Sequence, residues 1–203
     1  HAFTEKDSSD YFGRDEALAR LLQLVASHSM VVLNGSSGSG KSSLIHAGLL
    51  PRLHNMETGV GGNGRQWKQK RTSWTIIDLR LGSQPLENLA AILAAKLEPS
   101  IPHEVLAQDL RTGRRSLHDV AQAIIAQIGV KASADGDASP AVELKLLLII
   151  DQFEELFSQT EDEPGIAELL SILLPDSPVR PSPDHVLTIL LSLRAGFGRF
   201  TLT

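Results

Sequence analysis

The segment Gly35-Ser36-Ser37-Gly38-Ser39-Gly40-Lys41-Ser42 meets every fixed position of the pattern G-x-x-x-x-G-K-[ST]. Its surroundings turn the pattern into a physical expectation. The apolar run Met30-Val31-Val32-Leu33 before it reads as a buried strand, and Ser43-Leu44-Ile45-His46-Ala47-Gly48-Leu49-Leu50 after it reads as a helix. Glycines let a backbone turn tightly round a polyphosphate, so that successive N–H groups point at its oxygens. A helix beginning near Lys41 adds the positive end of its dipole. In such a loop Lys41 reaches the β- and γ-phosphates, and the Ser42 hydroxyl ligates Mg2+. Gly35, Ser36, Ser37, Gly38, Ser39, Gly40, Lys41, Ser42 and Ser43 are therefore the predicted nucleoside triphosphate site.

The rest of the chain fits a fold built round that loop. Its 203 residues with 42% hydrophobic content suffice for one sizeable core and predict one domain. A net charge of −5 implies no general affinity for nucleic acid. The absence of cysteine excludes a disulfide scaffold and suits a reducing cytoplasm. No segment approaches a membrane span and the amino terminus lacks a secretory layout. The chain opens on His1 and closes on Phe200-Thr201-Leu202-Thr203, which reads as a fragment of something longer.

Apolar blocks alternate between strand-like and helix-like. Residues 15–27 carry an amphipathic helix started by Asp15 and Glu16, and the helix after the glycine loop is expected to end near Leu50-Pro51. Residues 54–73 are Gly-rich and then basic (Arg65, Lys68, Lys70, Arg71), which predicts a long exposed and solvated loop. A strand is expected over 74–79, helices over 86–97, 103–110, 116–128 and 164–174, and a polar loop over 131–140. Continuous apolar runs at 144–150 and 186–193 suit fully buried parallel strands, joined by the proline-rich stretch 175–183. The predicted fold class is α/β, a three-layer sandwich with a mainly parallel sheet and helices on both faces.

The second informative motif is Leu146-Leu147-Leu148-Ile149-Ile150-Asp151. An apolar strand ending in aspartate places a carboxylate at the carboxyl edge of the sheet, where such sheets bind ligands. Beside a glycine loop of this kind, Asp151 is the expected partner of the Mg2+ shell. Glu154 and Glu155 follow in Gln152-Phe153-Glu154-Glu155-Leu156-Phe157. Either could orient the water that attacks a γ-phosphate, or simply favour the start of the next helix.

These residues carry a family resemblance. Tyr11-Phe12-Gly13-Arg14-Asp15-Glu16, the glycine loop, Ala47-Gly48-Leu49-Leu50-Pro51-Arg52-Leu53, Trp74-Thr75-Ile76-Ile77-Asp78-Leu79-Arg80, Asp151-Gln152-Phe153-Glu154-Glu155-Leu156-Phe157 and Leu193-Arg194-Ala195-Gly196-Phe197 resemble the STAND class of signal-transduction ATPases. More narrowly they resemble its bacterial branch, which is often fused to WD40 repeats or to effector domains. The resemblance runs from about Tyr11 to the end, with residues 1–10 as a tail and 11–203 as the nucleotide-binding domain. It implies the P-loop fold of the additional-strand (ASCE) type, and ATP or ADP with Mg2+ as ligands. It implies that Phe12, Gly13 and Arg14 help form the adenine side, and that Arg194 contacts the γ-phosphate. Lys41, Arg194 and one of Glu154 and Glu155 then form the catalytic set, and Asp151 with Ser42 the metal pair.

The same resemblance implies a cytoplasmic nucleotide switch in bacterial signalling and defence, with slow hydrolysis. Its partners would be the other domains of a parent chain (lid, winged helix, sensor repeats, effector) and further copies in an oligomer. Two departures stand out: Gly196 occupies a place where the class carries aspartate, and Arg80-Leu81 replaces Arg-Pro. Gly196 leaves hydrolysis open, so a non-catalytic nucleotide-binding scaffold remains an alternative, as does a P-loop small-molecule kinase.

Overall fold

The computed structural model describes residues 13–57, 72–134, 142–159, 163–174 and 185–195. Four strands, β1 (Met30–Gly35), β2 (Thr72–Leu79), β3 (Glu143–Ile150) and β4 (Leu187–Arg194), form one sheet in the order β1-β4-β3-β2. All three pairings are parallel. The register sets Leu148 beside both Ile77 and Ile189, and Arg194 beside Gly35. The last six residues of β3 and the first six of β4 are buried, as continuous apolar runs covered on both faces require.

Alternation along the strands divides the core in two. Leu147, Ile149 and Leu190 face one side, where α1 (Asp15–Ser27) contributes Leu18, Leu21 and Val25 and the helix after the glycine loop contributes Ile45, Leu49 and Leu53. Leu146, Leu148, Ile150, Ile189 and Leu191 face the other. There they meet α3 (Pro85–Ala94), α4 (His103–Arg111), α5 (Leu117–Ala134), α6 (Glu155–Gln159) and α7 (Glu163–Leu173). Arg111 ties three of these together through Glu87 on α3 and Glu168 on α7. The α5 start is secured by a reciprocal cap, Asp119 N–H donating to Ser116 Oγ and Ser116 N–H to Asp119 Oδ2. The result is the expected α/β sandwich with helices on both faces. Its additional strand, β4, lies between the strand that feeds the glycine loop and the strand that ends at Asp151.

The helix after the loop, α2, does not stop at Pro51. It runs as Lys41–Ser43, then a π-wound stretch Leu44–Leu49, then Leu50–Glu57. In a regular α-helix the proline ring meets the carbonyl four residues back, and its missing N–H leaves that carbonyl unpaired. Here Leu50 N–H bonds to Ile45 O, five residues back, and the wider turn carries the chain past the proline. The polar loop expected from residue 131 likewise begins later, because α5 continues to Ala134. Strand β2 starts at Thr72, two residues before the expected position. The basic residues Arg65 to Arg71 lie outside the described residues. No helix among the described residues is long and apolar enough to cross a membrane.

Candidate functional site

The carboxyl ends of β1, β4 and β3 lie side by side where the outgoing connections switch from one face of the sheet to the other. From β1 the chain leaves into α2 on one face, and from β3 into α6 and α7 on the other. Open parallel sheets bind ligands in this crevice. A cleft of about 320 Å3 opens there. Ser37, Gly38, Gly40, Lys41, Ser42 and Ser43 line one side, and Gln152, Glu154 and Ser192 the other.

The loop is shaped by its glycines at two places. A Cβ on Gly35 would stand 2.8 Å from Ser39 Oγ, and Gly40 takes φ 82°, a left-handed conformation that starts the helix at Lys41. A turn is closed by Ser39 N–H to Ser36 O at 3.1 Å. The Lys41 ammonium folds back over the loop, donating to Gly35 O at 2.8 Å and Ser36 O at 3.1 Å. Gly35 O also accepts Ala195 N–H at 2.9 Å, which stitches the loop to the end of β4.

Asp151 stands one residue past β3 with its side chain 3% exposed. Burial alone would push its carboxyl up. His46, the Ser42 hydroxyl and the Gln152 amide outweigh that and hold it well below the usual carboxylate range. The Gln152 N–H bond to Asp151 Oδ1 is 3.0 Å, and His46 Nε2 lies 3.8 Å from Oδ2. Ser192 Oγ is buried beside them, outside hydrogen-bonding geometry with any described residue. Gln152 itself sits at φ 57°, unusual for a residue with a side chain. That conformation folds the chain sharply into the turn closed by Glu155 N–H to Gln152 O. Phe153, 4% exposed, anchors this turn by packing edge-on against Phe157 and donating its N–H to Ser192 O.

The two glutamates separate here. Glu154 lines the cleft and its Oε2 accepts Arg194 N–H at 3.1 Å. Glu155 opens α6 and does not line it. Arg194 is the last residue of β4, exposed, level with Gly35 on the adjoining strand. Arg14 lies over the loop rather than far from it: its guanidinium would meet a Cβ on Gly40 at 3.4 Å. Gly13, at φ 86°, leads into α1 beside it, and Phe12 lies outside the described residues, as does Gly196.

Sequence reasoning passed over His46, Asp78 and Ser192. His46 follows Ser42 by four residues on α2, and its Nδ1 lies 3.6 Å from Asp78 Oδ2 at the end of β2. Burial pushes the Asp78 carboxyl up, opposed by His46 and reinforced by Asp151. The spacing of Ser42 and His46 was the available signal; the approach of β2 was not visible along the chain. Ser42 and Asp151 offer oxygen ligands suited to a hard divalent cation, and the buried Ser192 hydroxyl adds a polar atom on the wall facing Ser42. Among the described residues no cluster of three or more His, Cys, Asp or Glu forms a metal cage. A cation here would thus take most of its ligands from phosphate and water.

Residues 1–202 match the family described as Novel STAND NTPase 1. No curated protein matches the chain. Among solved structures it is similar to a Walker-type ATPase of Pyrococcus abyssi, with 17% identity and a TM-score of 0.44 over 91% of this chain. The chain spans 45% of that protein's length.

Proposed function

The chain belongs to the novel STAND NTPase 1 family, and we propose that it binds ATP or ADP with Mg2+ and hydrolyses ATP slowly, as the switch domain of a longer signalling protein. The observation that carries this reading is the buried Asp151 carboxylate just past β3, beside the cleft that Lys41 and Ser42 of the glycine loop line. Residues 11–203 form the nucleotide-binding unit.

On binding, the Lys41 ammonium exchanges the carbonyls of Gly35 and Ser36 for β- and γ-phosphate oxygens, a change to stronger, charge-assisted bonds. The amides of residues 36–43 face the phosphates, with the helix dipole behind them. Ser42 and Asp151 would hold a Mg2+, which would supply positive charge against the phosphate oxygens. Glu154 is the glutamate that orients the attacking water and accepts its proton: it lines the cleft, and Arg194 N–H occupies only Oε2. The Arg194 side chain, level with the start of the loop, meets charge that exists only while the γ-phosphate is present. Phe12, Gly13 and Arg14 border the nucleoside, with Arg14 close enough to Gly40 to reach the phosphates too.

In the parent protein, loss of the γ-phosphate removes that charge and shifts the balance between an open, oligomer-forming arrangement and a closed one. Lid, winged-helix, sensor and effector domains would carry this shift, in the bacterial cytoplasm, into signalling or defence. The test is calorimetric titration with ATP, ADP and GTP in Mg2+, with Lys41→Ala as the control. Selective adenine-nucleotide binding that the substitution abolishes is expected; unchanged affinity in Lys41→Ala refutes the reading. Tight ADP retention with no turnover would assign the non-catalytic scaffold instead.

A further inference from the structure

We propose that His46 is a positioning residue that orients the Asp151 carboxylate for Mg2+, with Asp78 fixing the imidazole from its other side. This rests on the nucleotide and Mg2+ reading above. The two ring nitrogens face different strands. Nδ1 lies 3.6 Å from Asp78 Oδ2 at the end of β2, and Nε2 lies 3.8 Å from Asp151 Oδ2 beyond β3. On the far side of the Asp151 carboxylate, Oδ1 accepts the Gln152 amide at 3.0 Å. One oxygen is thus hydrogen-bonded by the backbone amide and the other faces the imidazole at ion-pair distance, so the two oxygens sit in different surroundings. Ser42, which lines the cleft, and Gln152, the next residue after Asp151, which lines it too, bring the carboxylate to its edge. Carboxylates that ligate a metal are commonly held in turn by outer partners, and His46, backed by Asp78, stands in that place behind Asp151.

Two further features favour positioning over packing. The His46 side chain is 24% exposed, so it contributes less to the core than its neighbours Ile45 and Leu49, which are fully buried. It also separates two carboxylates that repel one another, since Asp151 disfavours charge on Asp78. Remove the ring and the carboxylates face each other across the gap, and only the Gln152 amide and Ser42 still hold Asp151. His46 lies inside the π-wound part of α2, so its direction depends on the wide turn that Pro51 imposes.

The test separates the two nitrogens. A glutamine amide nitrogen falls near the position of Nε2, and an asparagine amide nitrogen near that of Nδ1. Wild type, His46→Gln, His46→Asn and His46→Ala are titrated with a non-hydrolysable ATP analogue, once in Mg2+ and once in EDTA. The gain in affinity that Mg2+ confers is expected to fall about tenfold or more in His46→Ala and His46→Asn and to be largely kept in His46→Gln, with affinities in EDTA within about twofold throughout. Thermal midpoints of the Asn and Gln variants should coincide. The proposal is overturned if Asn and Gln behave alike, if His46→Ala keeps the full Mg2+ gain, if affinity in EDTA falls in step, or if wild type shows no Mg2+ gain. Failure of the nucleotide reading shows elsewhere, as binding that survives Lys41→Ala.

Discussion

Gly40 and Gly113 offer a matched pair for weighing the glycine loop's backbone against its task. Both adopt left-handed conformations, φ 82° and φ 68°. A Cβ on Gly113 meets nothing within 4 Å, whereas one on Gly40 meets the Arg14 guanidinium at 3.4 Å and stands at the start of the phosphate loop's helix. A side chain in this conformation costs about 1–2 kcal/mol, and for a chain of this size that lowers the thermal midpoint by about 2–8 °C in either Gly40→Ala or Gly113→Ala. The nucleotide response distinguishes them. ADP at about one hundred times Kd stabilises a folded protein by about 2.7 kcal/mol, or about 5–11 °C here. Gly113→Ala should keep that increment in full. In Gly40→Ala the side chain disfavours the left-handed conformation and turns the loop's amides, while the new methyl lies in ordinary contact with the Arg14 guanidinium. Losing two charge-assisted bonds to phosphate, about 3 kcal/mol together, weakens binding about a hundredfold. At the same ADP concentration the increment then shrinks to about 0.4 kcal/mol, roughly 1 °C. Scanning calorimetry with and without ADP and Mg2+ reads both effects. An undiminished nucleotide increment in Gly40→Ala would refute the loop geometry, and an unchanged midpoint in Gly113→Ala would refute the backbone argument.

Other substitutions follow from the same geometry. Glu154→Gln should cut ATP turnover by about 10²–10⁴-fold with nucleotide affinity retained, while Glu155→Gln leaves turnover within a few-fold, both read by phosphate release. Arg194→Ala should narrow the preference for ATP over ADP by about 1.5–3 kcal/mol, measured by competitive titration, and a preference unchanged from wild type would remove Arg194 from the site. Asp151 is held below its ordinary value of 3.8 in the folded state, so the stability it adds is present above that pH and is lost as the pH falls below it. Asp151→Asn should therefore unfold with a flatter acid dependence than wild type below about pH 4, followed by circular dichroism at fixed ionic strength.

The parts of the fold visible along the chain are those whose physics is local. Residues 144–150 and 186–193 announced buried parallel strands because a strand covered on both faces carries apolar residues throughout. The glycine loop and Asp151 were legible for the same reason, since each is a short string acting with its own neighbours. What escaped depends on chain crossings. Asp78 lies 73 residues before Asp151 and reaches the site only because β2 pairs with β3, setting it level with Ile149. Ser192 faces the cleft because β4 inserts between β1 and β3. The two glutamates could not be told apart as adjacent letters; the left-handed Gln152 sends Glu154 toward Arg194 N–H and leaves Glu155 to start a helix. Pro51 misled in the opposite way, because a proline stops a regular helix but not one already wound wider.

That wide turn has an arithmetic consequence. Each residue of an α-helix advances the direction of its side chain by about 100°, so one residue absorbed in a π turn resets the phase of everything beyond it by that amount. The amino half of α2 is phased to the glycine loop through Lys41 and Ser42, and the carboxyl half to the core through Leu50 and Leu53. A deletion that restored regular winding could not satisfy both halves. Either the leucines would swing out of the sheet's shadow, or the lysine and serine would turn from the cleft. The surplus residue acts as a vernier between binding and folding, and a chain one residue shorter here would have to give up one of them.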